Sequence, residues 1–514
     1  MRGLVAAMIS SSSRLDTAEC LPEVGGQGVE GDLLDGNAQH LVAVLAAAAI
    51  VFLAANVHHA WACYTVVVGQ KASTDGSVLV GHNEQNAGRH LLNFRRIPRQ
   101  RFEDGATLRL RRGGELAQVA ETSAFLWSEN PGLEFSDSYL NEWGVAIVSD
   151  GCPTREDSHE ALIRRGEIRD GGIGYMLRRL IAQRAKTAKE GVQIAGQLIE
   201  RFGYADSGRT YVIADPNEAW LLSVVRGRRW VAKRVPDDAV VLLPNVHIIA
   251  EVDIKDSDNL LASADLVNYA VKRGWFDPNR DGLFNFRKVY NADRNDPPDA
   301  RQFHGQQIVT EQRMTWPPRE PLPFAVKPAH KLPVAAVVKV LRDHAGSTPI
   351  CTASTQEAAV FQLRSGIPRE IGCIYWRTTA EPCLSVLTPW YLGITETPKC
   401  YYQPADTETQ LSLSHHFSPS PGIFKPDASQ AWWKFMNLQD VVNRDYKNRS
   451  TIVRSAWKTF EDQEFEKQHA VEQRALQSMK TDEKAARAYL TQYCADLALR
   501  ACEEADRMAR RWRE

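Results

Sequence analysis

The chain has 514 residues, of which 44% are hydrophobic and 24% are charged, and these fractions are typical of a folded globular protein. Its 62 basic and 63 acidic side chains leave a formal net charge of -1, so the composition indicates no basic surface for nucleic acid. The mean hydropathy of -0.35 excludes a protein built from many membrane spans.

The N-terminal residues 1–62 contain an apolar run that is followed by small residues. Residues 41–55 are all apolar, and this run is shorter than the about 20 residues that a membrane-spanning helix needs. Ala60-Trp61-Ala62 then has the A-x-A pattern of a signal-peptide cleavage site. We therefore expect a signal peptide, cleavage after Ala62, and export to the periplasm or the extracellular space, with no stable membrane association afterwards.

The charges around the apolar run leave alternatives open. Glu30, Asp32 and Asp35 precede the run, whereas a signal peptide usually has basic residues there. An uncleaved anchor or a buried core segment would fit this charge pattern. Lipidation of Cys63 is a third alternative, although Trp61 is bulky for a lipidation signal.

Cleavage after Ala62 would place a thiol and a free α-amino group on the same residue, Cys63. A thiol has a pKa of about 8.5 and needs a base or a cationic neighbour to become a nucleophilic thiolate. An α-amino group titrates at about 7.7–8.0, so it can accept the thiol proton and later return it to a leaving amine. The pattern favours Cys63 as an N-terminal nucleophile, and a buried structural cysteine is the alternative.

The residues that follow Cys63 predict a β-hairpin. Residues 63–69 and 77–84 are rich in β-branched and apolar side chains, and Asp75-Gly76 between them is a strong turn signal. The hairpin would return residues 82–85 alongside Cys63, where their side chains can orient the thiol.

A series of motifs continues from Cys63 to about Phe460. It includes Lys71-Ala72-Ser73-Thr74-Asp75-Gly76-Ser77, Gly81-His82-Asn83-Glu84 and Asn141-Glu142-Trp143-Gly144-Val145-Ala146-Ile147, followed by residues 184–188, 213–220, 234–238, 284–290 and 374–377. In their order and spacing, these motifs resemble the secreted cysteine dipeptidases of the N-terminal nucleophile (Ntn) hydrolase superfamily. The resemblance implies an α+β fold, the four-layer αββα sandwich of that superfamily, and hydrolysis of small peptides.

The resemblance also assigns candidate catalytic residues, with Cys63 as the nucleophile. Many family members have Arg-Asn-x-Asp on the second strand, whereas this chain has His82-Asn83-Glu84-Gln85. His82 therefore replaces the arginine, and Gln85 replaces the acid that holds the α-amino group. Glutamine can accept a hydrogen bond but cannot balance an ammonium charge. Glu84 is a candidate substitute, although strand alternation points it to the face opposite Gln85.

Three further polar residues are candidates for the site. Asn245 follows Pro244 and matches the asparagine that the superfamily places near the reacting carbonyl, while a turn asparagine is the alternative. Asp150 is a weaker candidate for the same region. Arg377 falls near the superfamily's late catalytic arginine, and a structural ion pair is its alternative.

Hydrophobic periodicity divides the chain after residue 62 into two parts. Residues 63–424 are predicted as the catalytic domain, with strands, then an amphipathic helix or helix pair over residues 173–202, and then strands again. Within this domain, residues 291–333 hold eight prolines and are expected to form a long surface loop. Residues 425–514 are predicted as a charged helical extension packed on the catalytic domain.

No cofactor and no metal are expected, because the sequence has no H-E-x-x-H motif, no C-x-x-C pair and no P-loop. Its nine cysteines are too few for a disulfide scaffold in a chain of this length. The interpretation is an exported dipeptidase that depends on Cys63 and takes a small peptide as its substrate. An acyl amide hydrolase of the same superfamily and a catalytically weakened binding protein are the alternatives, and homo-oligomerisation stays open.

Overall fold

The computed structural model describes residues 63–86, 91–110, 112–133, 136–404 and 424–512. The predicted leader of residues 1–62, with its apolar run and its cleavage site, lies outside this part of the chain. Cys63 is therefore the first described residue. Of the helices in the described ranges, none is both long enough and apolar enough to cross a membrane.

Most of the described strands belong to two antiparallel sheets. The strands are β1 Tyr64–Val68, β2 Val78–Gln85, β3 Asn93–Ile97, β4 Gln100–Arg101, β5 Thr107–Arg109, β6 Glu115–Ala117, β7 Glu121–Thr122, β8 Phe125–Glu129, β9 Ser136–Asn141, β10 Ala146–Gly151, β11 Tyr204–Ala214, β12 Ala219–Gly227, β13 Trp230–Arg234, β14 Val240–Leu243, β15 Leu260–Ala262, β16 Thr355–Leu363, β17 Cys373–Thr379 and β18 Thr388–Tyr391. The first sheet has the strand order β14-β1-β2-β16-β17-β18, and the second has the order β15-β13-β12-β11-β10-β9-β8-β3. β4 with β7 and β5 with β6 form two small ribbons.

Helices cover the outer faces of the two sheets. They are α1 His159–Arg164, α2 Met176–Arg184, α3 Ala188–Phe202, α4 Leu266–Lys272, α5 Phe286–Tyr290, α6 Ala300–Thr310, α7 Val334–Leu341, α8 Arg369–Gly372, α9 Ala431–Asn443, α10 Tyr446–Met479 and α11 Glu483–Arg510. α2 and α3 contact the second sheet, while α7 contacts β1, β2 and β16 of the first. A Cβ at Gly81 would lie 2.4 Å from Cγ1 of Val337, so the glycine in β2 permits the close approach of α7.

Alternating side chains of the second sheet separate two hydrophobic cores. Val148 and Val212 lie in one core together with Val67 of the first sheet. Their sequence neighbours Ile147 and Ile213 point the other way and pack in a second core with α2 and α3. The layer order is therefore helix, sheet, sheet, helix. The α+β fold class predicted from the sequence is confirmed, and its layers have the order of an αββα sandwich.

The predicted helix or helix pair over residues 173–202 is a pair, because the chain leaves the helical conformation between α2 and α3. Ala185 is extended, and the Thr187 side chain then accepts a hydrogen bond from the backbone N–H of Glu190 as the N-cap of α3. Gly203, at φ +78°, ends α3 in a backbone conformation that favours glycine.

The prediction of a long surface loop over residues 291–333 was wrong for the eleven residues of α6. Asp299 caps this helix by accepting hydrogen bonds from two backbone N–H groups of its first turn. Its buried face includes Gln302 and Gln306, which both donate side-chain hydrogen bonds to the Pro323 carbonyl. Polar residues on the buried face interrupt the apolar period, so the helix gives no periodic signal in the sequence.

The three C-terminal helices belong to the same compact unit as the two sheets. α9 contacts β17, and α11 contacts β18. Two ion pairs add to this packing, because Glu461 and Glu472 of α10 pair with Arg342 at 2.6 Å and Arg364 at 2.7 Å, respectively. The C-terminal helices therefore add to the layer that covers the first sheet.

Candidate active site

The β1–β2 hairpin places Cys63 next to the end of β2. In the antiparallel register, Tyr64 pairs with Asn83 and Thr65 pairs with His82. Because paired side chains point to the same face and alternate along a strand, Cys63, Thr65 and His82 face the interior between the two sheets. The Thr65 hydroxyl donates a hydrogen bond to Asp150 of β10, which confirms the direction of this face.

The thiol of Cys63 lies against the carboxylate of Glu84. Cys63 Sγ is 3.6 Å from Glu84 Oε2 and 3.6 Å from the backbone oxygen of Gln85. His82 Nε2 is 3.9 Å from the same carboxylate oxygen. All three side chains are buried, and their donor atoms lie within 4.8 Å of one another. A thiol, a carboxylate and an imidazole are groups that transfer protons in catalysis. The same three groups can also bind a divalent ion such as Zn²⁺.

The side chain of Gln85 points to the other face of the first sheet. Its Nε2 donates hydrogen bonds to the Ile350 carbonyl and to the Thr355 hydroxyl, both at 2.7 Å. The structure brings only the main-chain oxygen of Gln85 to the sulfur of Cys63. The carboxyl group next to the thiol is therefore that of Glu84, and the Gln85 side chain does not reach it.

Burial and charge determine the protonation of the group. Burial raises the pKa of the Cys63 thiol well above its usual range, and the carboxylates of Glu84 and Asp150 act in the same direction. Burial likewise raises the pKa of Glu84, while the guanidinium groups of Arg178 and Arg209 oppose that rise. Burial also lowers the pKa of His82 to about 3, so this imidazole is neutral near pH 7. With the nitrogen of Cys63 in a peptide bond, the thiol therefore keeps its proton near pH 7.

Asp150 is fully buried beside this group, and burial raises its pKa from 3.8 to about 7. The folded state therefore holds a proton on Asp150 that the unfolded chain releases above about pH 4, so this residue makes stability fall as pH rises from about 4 to 7. Asp150→Asn keeps the acceptor for Thr65 and removes the titration. We therefore expect the free energy of unfolding of the variant, relative to that of wild type, to rise by up to about 4 kcal/mol between pH 4 and pH 8.

Urea unfolding of both proteins across that pH range measures this prediction. The largest relative gain is expected between pH 5 and 7, where the pKa shift acts. A stability difference between variant and wild type that does not change with pH would contradict it.

Arg301 connects Cys63 to Asn245. Its Nη1 donates to the backbone oxygen of Cys63 at 3.2 Å, and its Nη2 donates to Asn245 Oδ1 at 3.0 Å. The Asn245 side-chain amide also donates to the Gly151 carbonyl at 3.0 Å. The structure thus connects Asn245 to Cys63, the residue that precedes β1, through a shared guanidinium. Sequence reasoning missed Arg301. The only local signal is Asp299, which as an N-cap residue could have predicted the helix that carries Arg301.

Arg377 lies in a separate buried ion pair. Its Nε is 2.5 Å from Glu357 Oε2, and its Nη1 donates to the Thr379 hydroxyl. Arg377 is on β17, and β16 lies between β17 and β2. Arg377 and His82 both pair with Ala359 of β16, so two strand spacings, about 10 Å, separate them across the sheet. These contacts match the structural ion pair that the sequence left open.

The family described as Peptidase family C69 matches residues 62–459, which is well over half of the 514 residues. The chain belongs to peptidase family C69. This membership confirms the peptidase resemblance seen in the sequence and identifies the protein as a cysteine-type peptidase.

Individual relatives of the peptidase carry dipeptidase names. A probable dipeptidase of Salmonella dublin is 28% identical over 372 residues, which cover 67% of this chain and 83% of the relative. A probable dipeptidase of Latilactobacillus sakei is 24% identical over 377 residues, which cover 66% of this chain and 76% of the relative.

Among solved structures, the peptidase is similar to penicillin V acylase from Agrobacterium tumefaciens, with 11% identity and a TM-score of 0.33. The superposition covers 64% of the peptidase and 86% of the acylase.

Proposed function

We propose that the peptidase hydrolyses dipeptides, with Cys63 as an N-terminal nucleophile that cleavage after Ala62 sets free. The observation that carries the proposal is the placement of the Cys63 sulfur, at the start of β1, 3.6 Å from the buried carboxylate of Glu84. The dipeptidase names of the relatives support the substrate class. The sequence of residues 41–62 supports export to the periplasm or the extracellular space.

The first step is a proton transfer within Cys63. Burial raises the pKa of both Glu84 and Asp150, and an ammonium ion on Cys63 would lower those pKa values and favour the ionised carboxylates, which in turn stabilise the ammonium. Once the α-amino group is free, it accepts the thiol proton and becomes an ammonium ion in this negative field. The thiolate gains a cationic neighbour that the uncleaved chain lacks, so processing switches the nucleophile on.

The next steps are attack and release. The thiolate forms a bond to the scissile carbonyl carbon, and the carbonyl oxygen takes up the negative charge. The intermediate collapses when the C–N bond breaks and the leaving amine takes a proton from the Cys63 ammonium, which leaves a thioester. Water then attacks the thioester, the α-amino group accepts its proton, and the acid product and the thiol are released.

Asn245 is the proposed oxyanion donor. Its amide has two N–H groups, and one of them donates to the Gly151 carbonyl. The other N–H can donate to the negative oxygen of the intermediate, an interaction that contributes about 2.7–4 kcal/mol in other hydrolases. Arg301 fixes Asn245 Oδ1 and the Cys63 carbonyl at once, so it is a positioning residue for both.

Arg301→Lys is expected to lower kcat about tenfold and to change KM little, since an ammonium group lacks the rigid planar fork that holds both acceptors in place. Steady-state kinetics on a dipeptide measure this split. Arg319→Lys, at an exposed position after α6, is the matched control and should behave as wild type. Equal losses in the two variants, or a change confined to KM, would contradict the positioning role.

The substrate class is tested with protein that begins at Cys63. A panel of dipeptides is compared with N-acyl amides at equal concentrations, and the kcat/KM values are ranked. The proposal predicts that dipeptides rank above the acyl amides. Faster hydrolysis of acyl amides would favour the amide hydrolase, and ligand binding without any turnover would favour a binding protein on this fold.

A further inference from the structure

A second group of metal-binding side chains lies at the end of the first sheet, apart from Cys63. His344 follows α7, Cys351 precedes β16, and Glu381 and Cys383 follow β17. One donor atom from each of the four residues lies within 4.8 Å of the others. The group combines two thiols, an imidazole and a carboxylate.

Direct contacts hold the four side chains together. Cys383 Sγ is 3.1 Å from Glu381 Oε1, and the Cys383 thiol also contacts both Cys351 and His344. Cys351, Glu381 and Cys383 are buried, while His344 is exposed. The eight cysteines in the described ranges carry free thiols, so Cys351 and Cys383 face each other unbonded in this structure.

Residues of the C-terminal helices hold these donors in place. Asn443 of α9 donates a hydrogen bond to Glu381 Oε2 at 3.2 Å, which leaves Oε1 facing the thiols. The Tyr446 hydroxyl lies 3.3 Å from His344 Nε2, a contact of the kind that orients the ring of a metal-binding histidine. Arg454 of α10 contacts Cys383 and supplies positive charge next to the thiol.

We propose that His344, Cys351, Glu381 and Cys383 bind one Zn²⁺ ion in a structural site. Zinc takes four sulfur, nitrogen and oxygen ligands in a tetrahedron, and bonds of about 2.0–2.3 Å place those ligands about 3.3–3.8 Å apart. The four donor atoms are therefore close enough to close around the ion with small side-chain movements.

The charges and the access to the site also fit. Two thiolates and one carboxylate carry three negative charges, so the site with bound Zn²⁺ has a net charge of about -1. The Arg454 guanidinium balances this charge. The exposed His344 gives the ion a path into the otherwise buried site. Because the ligands lie in segments that adjoin β16 and β17, and their supports come from α9 and α10, the ion would fasten the C-terminal helices to the first sheet.

Metal analysis of the purified protein tests the site. We expect one Zn²⁺ per chain and, after exchange for Co²⁺, the charge-transfer band of thiolate-to-cobalt bonds. Cys383→Ser should weaken metal binding more than about tenfold. Because Cys63, His82 and Glu84 could also bind the ion, Cys63→Ala is the control, and it should keep both the metal and the band.

A chelator should lower the Tm of wild type and of Cys63→Ala. If Cys383→Ser does not fold, the cobalt band of folded Cys63→Ala still decides the question. The proposal is overturned by chains that retain no metal, by a Cys351–Cys383 disulfide in mass spectra of the folded protein, or by metal that is lost in Cys63→Ala.

Discussion

Replacement of Cys63 by alanine in the processed peptidase is expected to lower kcat/KM for dipeptides by at least about 10⁴-fold. Alanine removes the proposed nucleophilic sulfur but keeps the free α-amino group and the backbone. The carboxylate of Glu84 then faces no nucleophile. Cys63→Ser should retain a small residual rate, since a hydroxyl is a much weaker nucleophile than a thiolate. Hydrolysis of a dipeptide panel by freshly processed protein measures both variants.

Cys152→Ala is the matched control for this substitution. Cys152 is also fully buried, it follows Asp150 by two residues, and burial raises the pKa of its thiol to about 12. Its sulfur contacts the backbone oxygens of Asp150 and Pro244 and makes no described contact with Glu84. The control should keep its rate within about threefold of wild type. A Cys63→Ala protein that keeps more than one per cent of wild-type turnover would contradict the role of Cys63.

Glu84→Gln is expected to lower kcat by about 10²–10⁴-fold with a smaller effect on KM. The substitution keeps the shape of the side chain and removes the negative charge next to Cys63. The α-ammonium loses its stabilising carboxylate, so its pKa falls, and the pKa of the thiol falls as well. The acidic limb of the kcat/KM profile should therefore move to lower pH. A structural role alone would not move this limb.

Gln85→Asn is the control for Glu84→Gln, because it shortens the neighbouring side chain on the other face of β2. It breaks buried hydrogen bonds to Ile350 and Thr355, so we expect lower stability, with kcat within about fivefold of wild type. A loss of kcat in Gln85→Asn as large as that in Glu84→Gln would contradict the assignment of the acid to position 84.

The local part of the site could be predicted from the sequence. The turn at Asp75-Gly76 and the β-branched runs on either side predict the hairpin, and the hairpin by itself returns residues 82–85 to Cys63. Strand alternation also predicts that Glu84 and Gln85 point to opposite faces. The pairing of Tyr64 with Asn83 decides whether Glu84 or Gln85 points toward the thiol. The sequence does not determine that register.

Contacts between distant parts of the chain were beyond sequence reasoning. Arg301 lies 238 residues after Cys63 along the chain, in a proline-rich segment whose helix has a partly polar buried face. The four proposed zinc ligands come in two pairs, one between α7 and β16 and one after β17, and neither pair alone is a zinc-binding motif. In both cases the residues meet only because the two sheets and their covering helices pack together.

Catalysis is proposed to require the free α-amino group of Cys63, and one residue added before Cys63 tests this requirement. Two proteins are prepared, one that begins at Cys63 and one that begins at Ala62, and intact mass confirms each N-terminus before dipeptide turnover is measured. The added alanine converts the amine of Cys63 into an amide, which cannot accept the thiol proton. We expect turnover only from the protein that begins at Cys63. Equal turnover by the protein that begins at Ala62 would contradict it.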